Sequence, residues 1–228
     1  MNDASPFRLP AVTESLVDAF TSHILNGQEA DAAALMDELL AGGLSAETVM
    51  MDLLAPSARL MGEHWCEDRR DFVEVTAGLA RLQQHVRQFR LPPVSGAGLK
   101  GQALLFPVPG EQHSFGVRLV EEHLLRAGWK VNATLRSRED DIRNLVSADY
   151  YDFVGISLTS DRLLPALRSA IRCVRTYSRN REVRIAVGGV LFTGHTAATL
   201  GLDVDAVVHD AREAVVQAEN WYGLAEVE

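Results

Sequence analysis

The residues best suited to chemistry lie between Phe106 and Gly116, where Glu111, His113 and Gly116 follow in the order Glu-x-His-x-x-Gly. An apolar run, Ala103 to Phe106, ends there in Pro107, Pro109 and Gly110, and a helical pattern begins just beyond. His113, with Gln112 and Ser114 beside it, therefore sits in a loop where a strand hands over to a helix. In open α/β sheets ligands bind at this edge, outside the carboxyl ends of the strands. Two further sets fall at the ends of later apolar runs: Ser157 and Thr159, then Gly188 and Gly189. Taken singly, the histidine reads as a loop residue and the glycines as turn residues. Taken together, they crowd one rim of one sheet.

The elements that must position them follow from periodicity. From residue 102 onward, strand-like runs at 102–108, 131–135, 152–159, 183–187 and 205–208 alternate with helical patterns at 114–128, 138–148, 161–178, 194–201 and 210–222. Five such β/α units predict a flavodoxin-like, Rossmann-like α/β domain over 102–228, a five-stranded parallel sheet with helices on both faces. Upstream, residues 1–92 read differently. Leu16, Val17, Phe20, Ile24 and Leu25 share one helical face, and Ala33, Leu35, Met36, Leu39 and Leu40 share another. Ser45 offers an N-cap for a third helix, which Pro56 is expected to kink or break. Phe72 to Phe89 gives a last long helix. A four- or five-helix bundle is predicted, joined to the sheet domain by a Pro/Gly/Ser-rich linker at 93–101.

The chain's 228 residues carry a net charge of −9 with pI near 5.3, which argues against broad nonspecific nucleic-acid binding and makes direct DNA contact an unfavoured reading. Arg168, Arg172, Arg175, Arg179 and Arg181 form a basic stripe, either a solvated helix face or a contact for a partner. Cys66 and Cys173 lack zinc or disulfide spacing, as expected of a reducing compartment, and Cys173 reads as buried. His123, His195 and His209 share no metal-ligand spacing. With no apolar run near bilayer length and no leader pattern, a cytoplasmic protein without a membrane segment is expected. No glycine-rich phosphate loop follows the first strand.

The ordered set Glu111, His113, Gly116, then Ser157 and Thr159, then Gly188 and Gly189 resembles the Asp-x-His-x-x-Gly, Ser-x-Leu, Gly-Gly signature of methionine-synthase-type cobalamin-binding domains. The resemblance covers roughly 101–228, and the preceding bundle is similar to the cap over the upper face of the corrin. It implies cobalamin bound base-off, His-on, with His113 as lower cobalt ligand and Glu111 fixing the imidazole tautomer. Ser157 and Thr159 would line the slot of the displaced nucleotide tail, and Gly188 and Gly189 would let the backbone approach it. Trp65 would lie above the ring, with His64 as a conceivable upper ligand. Glu111 stands where the family has Asp, and Thr159 where it has Leu.

The segment from Trp65 to Thr76, followed by Arg81 to Gln83, is similar to stand-alone cobalamin proteins of the AerR and PpaA type. That resemblance implies a noncatalytic regulator, responsive to light or redox state, that acts as an antirepressor on a DNA-binding repressor protein. The alternative is a corrinoid methyl-carrier subunit of a methyltransferase system. A degenerate domain that binds haem or no cofactor is a third reading, resting on Glu111.

Overall fold

A computed structural model describes residues 11–89, 100–136 and 138–225. The chain divides into two compact units, Met1–Arg90 and Leu91–Glu228. The linker expected at 93–101 lies, apart from Lys100 and Gly101, outside the described residues.

The first unit is helical: α1 (Glu14–Leu25), α2 (Glu29–Ala41), a single turn α3 (Ala46–Thr48), a π-helix (Val49–Leu54), α4 (Ala55–Cys66) and α5 (Phe72–Gln88). Side chains set the helix starts. Thr13 accepts from the Leu16 N–H, Ser45 from the Thr48 N–H, and Asp71 and Glu74 form a reciprocal capping box. Phe20, Ile24, Met50, Leu53, Leu54, Met61 and Leu82 are fully buried and make the core. Gly78 lets α5 approach closely, since a Cβ there would lie 3.1 Å from both Leu25 Cδ2 and Met61 Sδ.

Of the kink or break expected at Pro56, no break occurs. Helical backbone runs from Ala46 to Cys66, and the chain absorbs the proline by widening to π geometry just before it, with the Ala55 N–H donating to the Met50 carbonyl. Proline has no N–H to give the carbonyl four residues back and its ring crowds that turn, so a wider turn relieves both problems. The helix then ends in a Schellman-type turn: the Arg69 N–H reaches the His64 carbonyl at 2.8 Å, and Asp68 takes a left-handed φ of 54° where glycine is usual.

The second unit is a five-stranded, wholly parallel sheet of order β2-β1-β3-β4-β5, with β1 at Gln102–Pro107, β2 at Lys130–Ala133, β3 at Phe153–Ser157, β4 at Arg184–Gly188 and β5 at Ala206–Val208. This is the flavodoxin-like order, whose topological switch lies between β1 and β3. On one face α7 (Glu139–Ala148) and α8 (Leu164–Tyr177) pack through Ile142, Val146, Leu167, Ile171 and Val174 against Leu104, Phe106, Val154, Ile156, Ile185 and Val187. On the other, α6 (Phe115–Arg126) and α10 (Ala211–Ala225) pack through Val117, Leu124, Ala214 and Ala218 against Ala103, Leu105, Phe153 and Ala186. A short helix, α9 (Ala197–Leu200), precedes β5. Strands buried on both faces need continuous apolar runs, which is why β1 and β3 stand out in the sequence.

Candidate functional site at the switch point

The register lines Pro107, Ser157, Gly188 and Val208 up in one row across β1, β3, β4 and β5, at the carboxyl ends of the strands. The loop carrying His113 leaves from this row. Val108, Pro109, Gly110 and Glu111 form a tight turn, closed by a 2.8 Å bond from the Glu111 N–H to the Val108 carbonyl, with Gly110 at φ 92°. Proline before a positive-φ glycine is the type II arrangement. It folds Glu111 back under the rim, where only 7% of its surface is exposed.

Around that carboxylate five donors converge. Oε1 accepts from the Gln112 N–H at 2.8 Å, from the His113 N–H at 2.9 Å and from the ring Nδ1 of His113 at 2.5 Å. Oε2 accepts from the Thr159 N–H at 3.0 Å and from the Thr159 hydroxyl. Thr159 Oγ1 also lies 3.0 Å from His113 Nδ1. Burial by itself would raise the Glu111 pKa, but the side-chain bonds from His113 and Thr159 and the backbone bonds outweigh it and hold the carboxyl well below the usual carboxylate range. The bond to Glu111 likewise raises His113 against the opposing effect of desolvation.

The extra methylene of Glu111 does not slacken its hold on His113; it lets the second oxygen span to Thr159. Thr159, expected to line a slot, has its hydroxyl on Glu111 instead, an engagement that leucine could not make. With Nδ1 held by the carboxylate, Nε2 is the ring atom left for a ligand, on a side chain that is 58% exposed. A neutral imidazole with its tautomer fixed by a carboxylate is a good ligand for cobalt.

Gly116 lies in the first turn of α6, and a Cβ there would meet only Ser157 Oγ, at 4.0 Å. At this exposed position, beside the histidine, the rim is therefore left open by the chain itself. Gly188 and Gly189 have reasons of their own. A Cβ on Gly188 would come within 2.8 Å of the Val208 carbonyl oxygen, and Gly189 has φ 115° with a Cβ position 2.2 Å from the Leu158 carbonyl oxygen. The chain's own backbone requires glycine at both positions. Gln112 is exposed, and Ser114 precedes α6 without capping it through its side chain. The donor set and the open rim both fit a metal-centred macrocycle carried on one histidine. Among the described residues no group of three or more His, Cys, Asp or Glu side chains could hold a metal ion.

In the helical unit Trp65 is 45% exposed and so is no core residue. It meets Phe72 edge-on, centroids 6.3 Å apart, and Phe72 and Val73 are themselves exposed, so the turn between α4 and α5 presents an apolar surface. Phe72 and Val73 open α5, where helical periodicity does not show which side chains stay exposed. His64 is half-buried, and its Nδ1 is buried without a hydrogen-bond partner among the described residues. Burial, then Arg69 and Arg70, lower its pKa, which favours the neutral ring.

Four of the five arginines of the basic stripe make internal ties, and Arg172 is exposed. Arg168 donates to the Gly201 and Leu200 carbonyls, Arg175 to the Val183 carbonyl and the Asp205 carboxylate, Arg179 to the Ala148 carbonyl and Arg181 to the Thr176 carbonyl. These arginines serve helix ends and strand connections. Cys173 is buried, and burial pushes its thiol up. No helix among the described residues is long and apolar enough to cross a membrane.

The chain resembles known proteins in sequence and in fold. A family model described as a B12 binding domain matches residues 101–219, and a second model of the same description matches residues 16–88. The chain is 27% identical over 179 residues, covering 77% of it and 93% of the relative, to an uncharacterized 20.5 kDa protein in the bchF-crtJ intergenic region of Rhodobacter capsulatus. Its fold is similar to that of the Methanosarcina barkeri monomethylamine corrinoid protein, with a TM-score of 0.71 and 16% identity over 91% of this chain and 99% of that one. It is also similar to a chain of the methanol:cobalamin methyltransferase complex MtaBC from the same organism, with a TM-score of 0.51 and 13% identity over 98% and 86% of the two chains.

Proposed function

For a chain that belongs to the B12-binding domain family, we propose a cobalamin-binding regulator in which His113 ligates cobalt from below through Nε2, base-off and His-on. The observation that carries the reading is the fixed ring of His113: a buried carboxylate holds Nδ1 at 2.5 Å and leaves the other nitrogen exposed at a rim that Gly116 leaves open. Bound cobalamin would supply a cobalt centre able to respond to light or to redox state. What the chain contributes is placement. Glu111 keeps the proton on Nδ1, so the Nε2 lone pair stays directed to ligation. Thr159 keeps Glu111 ionised and oriented. Ser157 Oγ and Gly116 border the slot for the nucleotide tail. The exposed Trp65, Phe72 and Val73 give the helical unit an apolar surface, and a ligand biases two conformations only through differential contacts.

The regulatory half of the proposal, a cytoplasmic antirepressor acting through a DNA-binding repressor, is supported by the AerR-type segment after Trp65 and by the Rhodobacter relative from the bchF-crtJ intergenic region. The same rim would equally serve a corrinoid methyl carrier, so function is decided in solution. Purified protein is reconstituted with hydroxo-, methyl- and adenosylcobalamin, and spectra are recorded in the dark and in light for wild type and His113→Ala. The regulator predicts a bound corrinoid whose spectrum changes on illumination, loss of the His-on spectrum in the variant, and no methyl transfer to a thiol acceptor with an added methyltransferase. Methyl transfer would establish the carrier, and failure of the wild type to retain any corrinoid on gel filtration would sink both.

A further inference from the structure

A second histidine stands at the same rim. His209 directly follows β5, and in the strand register Val208 pairs with Gly188, which pairs with Ser157. His209 is thus one residue beyond the row that carries the slot. It also opens the turn into α10, whose Ala214 and Ala218 join Val117 and Leu124 of α6 in one apolar cluster. The two helices are neighbours on one face of the sheet and both begin at the carboxyl rim, α6 just after His113 and α10 just after His209. Along this rim Gly116 and Ser157 lie toward the start of α6, and Gly188 and His209 toward the start of α10.

His209 is also held as His113 is. Its Nδ1 lies 2.9 Å from Glu213 Oε2, which accepts the His209 backbone N–H as well, at 2.8 Å, and Glu213 is itself fixed by a bond from its N–H to Asp210 Oδ1. The side chain is 61% exposed. A carboxylate on Nδ1 fixes the tautomer and leaves Nε2 as the atom a ligand can reach, here as an acceptor. Nothing in the fold uses this nitrogen among the described residues. The neighbouring Asp210 and Glu213 make the position unfavourable for a phosphate and suitable for a hydroxyl donor.

Resting on the corrinoid reading, we propose that His209 is a specificity-determining residue of the slot, accepting a hydrogen bond from a ribose hydroxyl of the nucleotide end of the corrinoid. It selects complete corrinoids over those without a nucleotide, while His113 serves both. The test is equilibrium titration of wild type, His209→Ala and His209→Gln with cobalamin and with cobinamide, which lacks the nucleotide. One hydrogen bond corresponds to about five- to tenfold in affinity. His209→Ala should lose that factor for cobalamin and nothing for cobinamide, with His209→Gln regaining part of it. Equal losses for the two ligands, or no loss for either, overturn the role of His209 and leave the corrinoid reading intact. A wild type that binds neither ligand overturns both. The exposed position makes misfolding of the variants readable as a shift in thermal unfolding, and His209→Gln retains a polar side chain of similar reach.

Discussion

Thr159 and Glu111 act as one unit: the Thr159 hydroxyl and N–H both donate to Oε2 of Glu111, whose other oxygen holds the His113 ring. The pair explains why a longer carboxylate and a threonine occur together in this chain. Without the hydroxyl, Oε2 would keep only the backbone N–H of residue 159 as a donor.

The first prediction follows from that coupling. Glu111→Gln should weaken cobalamin binding by about 10- to 100-fold, the usual cost of removing a group that orients a ligating histidine. Thr159→Val should cost less, and the double variant should fall short of the sum by at least about 0.5 kcal/mol. Titrations of the four proteins check this, and strict additivity would show that the two residues act separately.

Gly116 and Gly189 should separate folding from binding. Gly189→Ala forces an L side chain into φ 115° and against the Leu158 carbonyl oxygen, so a loss of roughly 3 kcal/mol or more is expected. A Cβ at Gly116 meets only Ser157 Oγ, at 4.0 Å, so Gly116→Val should melt near the wild-type temperature while losing corrinoid. A Gly116→Val protein that binds cobalamin normally would remove Gly116 from the site.

Asp205 makes stability pH-dependent. Burial would raise its pKa, but the Ile185 N–H, Arg175 and Arg184 outweigh burial and lower it. A carboxylate depressed in the folded state stabilises it fully above its unfolded pKa of about 4. That contribution is lost as pH falls through the lower folded pKa. Denaturant melts from pH 6 down to about pH 3 should show wild type losing more stability than Asp205→Asn. The variant should already be weaker at pH 6, by about 1–3 kcal/mol.

Asp68 holds a left-handed backbone at φ 54° at the end of α4. Asp68→Gly should stabilise the helical unit by about 0.5–1 kcal/mol, because glycine adopts this region without a Cβ conflict. A lowered melting temperature would mean that the aspartate makes a compensating contact.

Trp65→Ala should leave stability within about 0.5 kcal/mol, as expected of an exposed side chain. It should alter the spectrum of bound cobalamin or its response to light. A large drop in melting temperature with an unchanged spectrum would instead make Trp65 a packing residue.

Much of this molecule was legible in its sequence. A strand buried on both faces must be apolar along its length, so Ala103 to Phe106 and Phe153 to Ile156 announced a parallel sheet, and the alternation with helical periods set its topology class. The turn residues Pro109 and Gly110 marked the loop, and the types of Glu111, His113 and Gly116 marked its chemistry. Helix starts were legible where the capping side chain is local, as at Ser45. Pro56 was legible as a disturbance but not as its remedy, because whether a helix breaks or widens depends on the packing of Met50, Leu53 and Leu54 around it.

Tertiary structure alone decided the rest. Residues 111 and 159 meet only because β1 and β3 are neighbours at the switch point, so the partner of the longer carboxylate was invisible from spacing. Arginine periodicity on α8 could not distinguish a solvated stripe from ties to Val183 and Gly201, since those carbonyls come from other segments of the chain. The same holds for Gly188 and Gly189, whose constraint is the carbonyl oxygen of another segment of chain. A sequence declares residue types and local periods; which distant groups satisfy a buried carboxylate, or forbid a Cβ, is fixed when the strands pair.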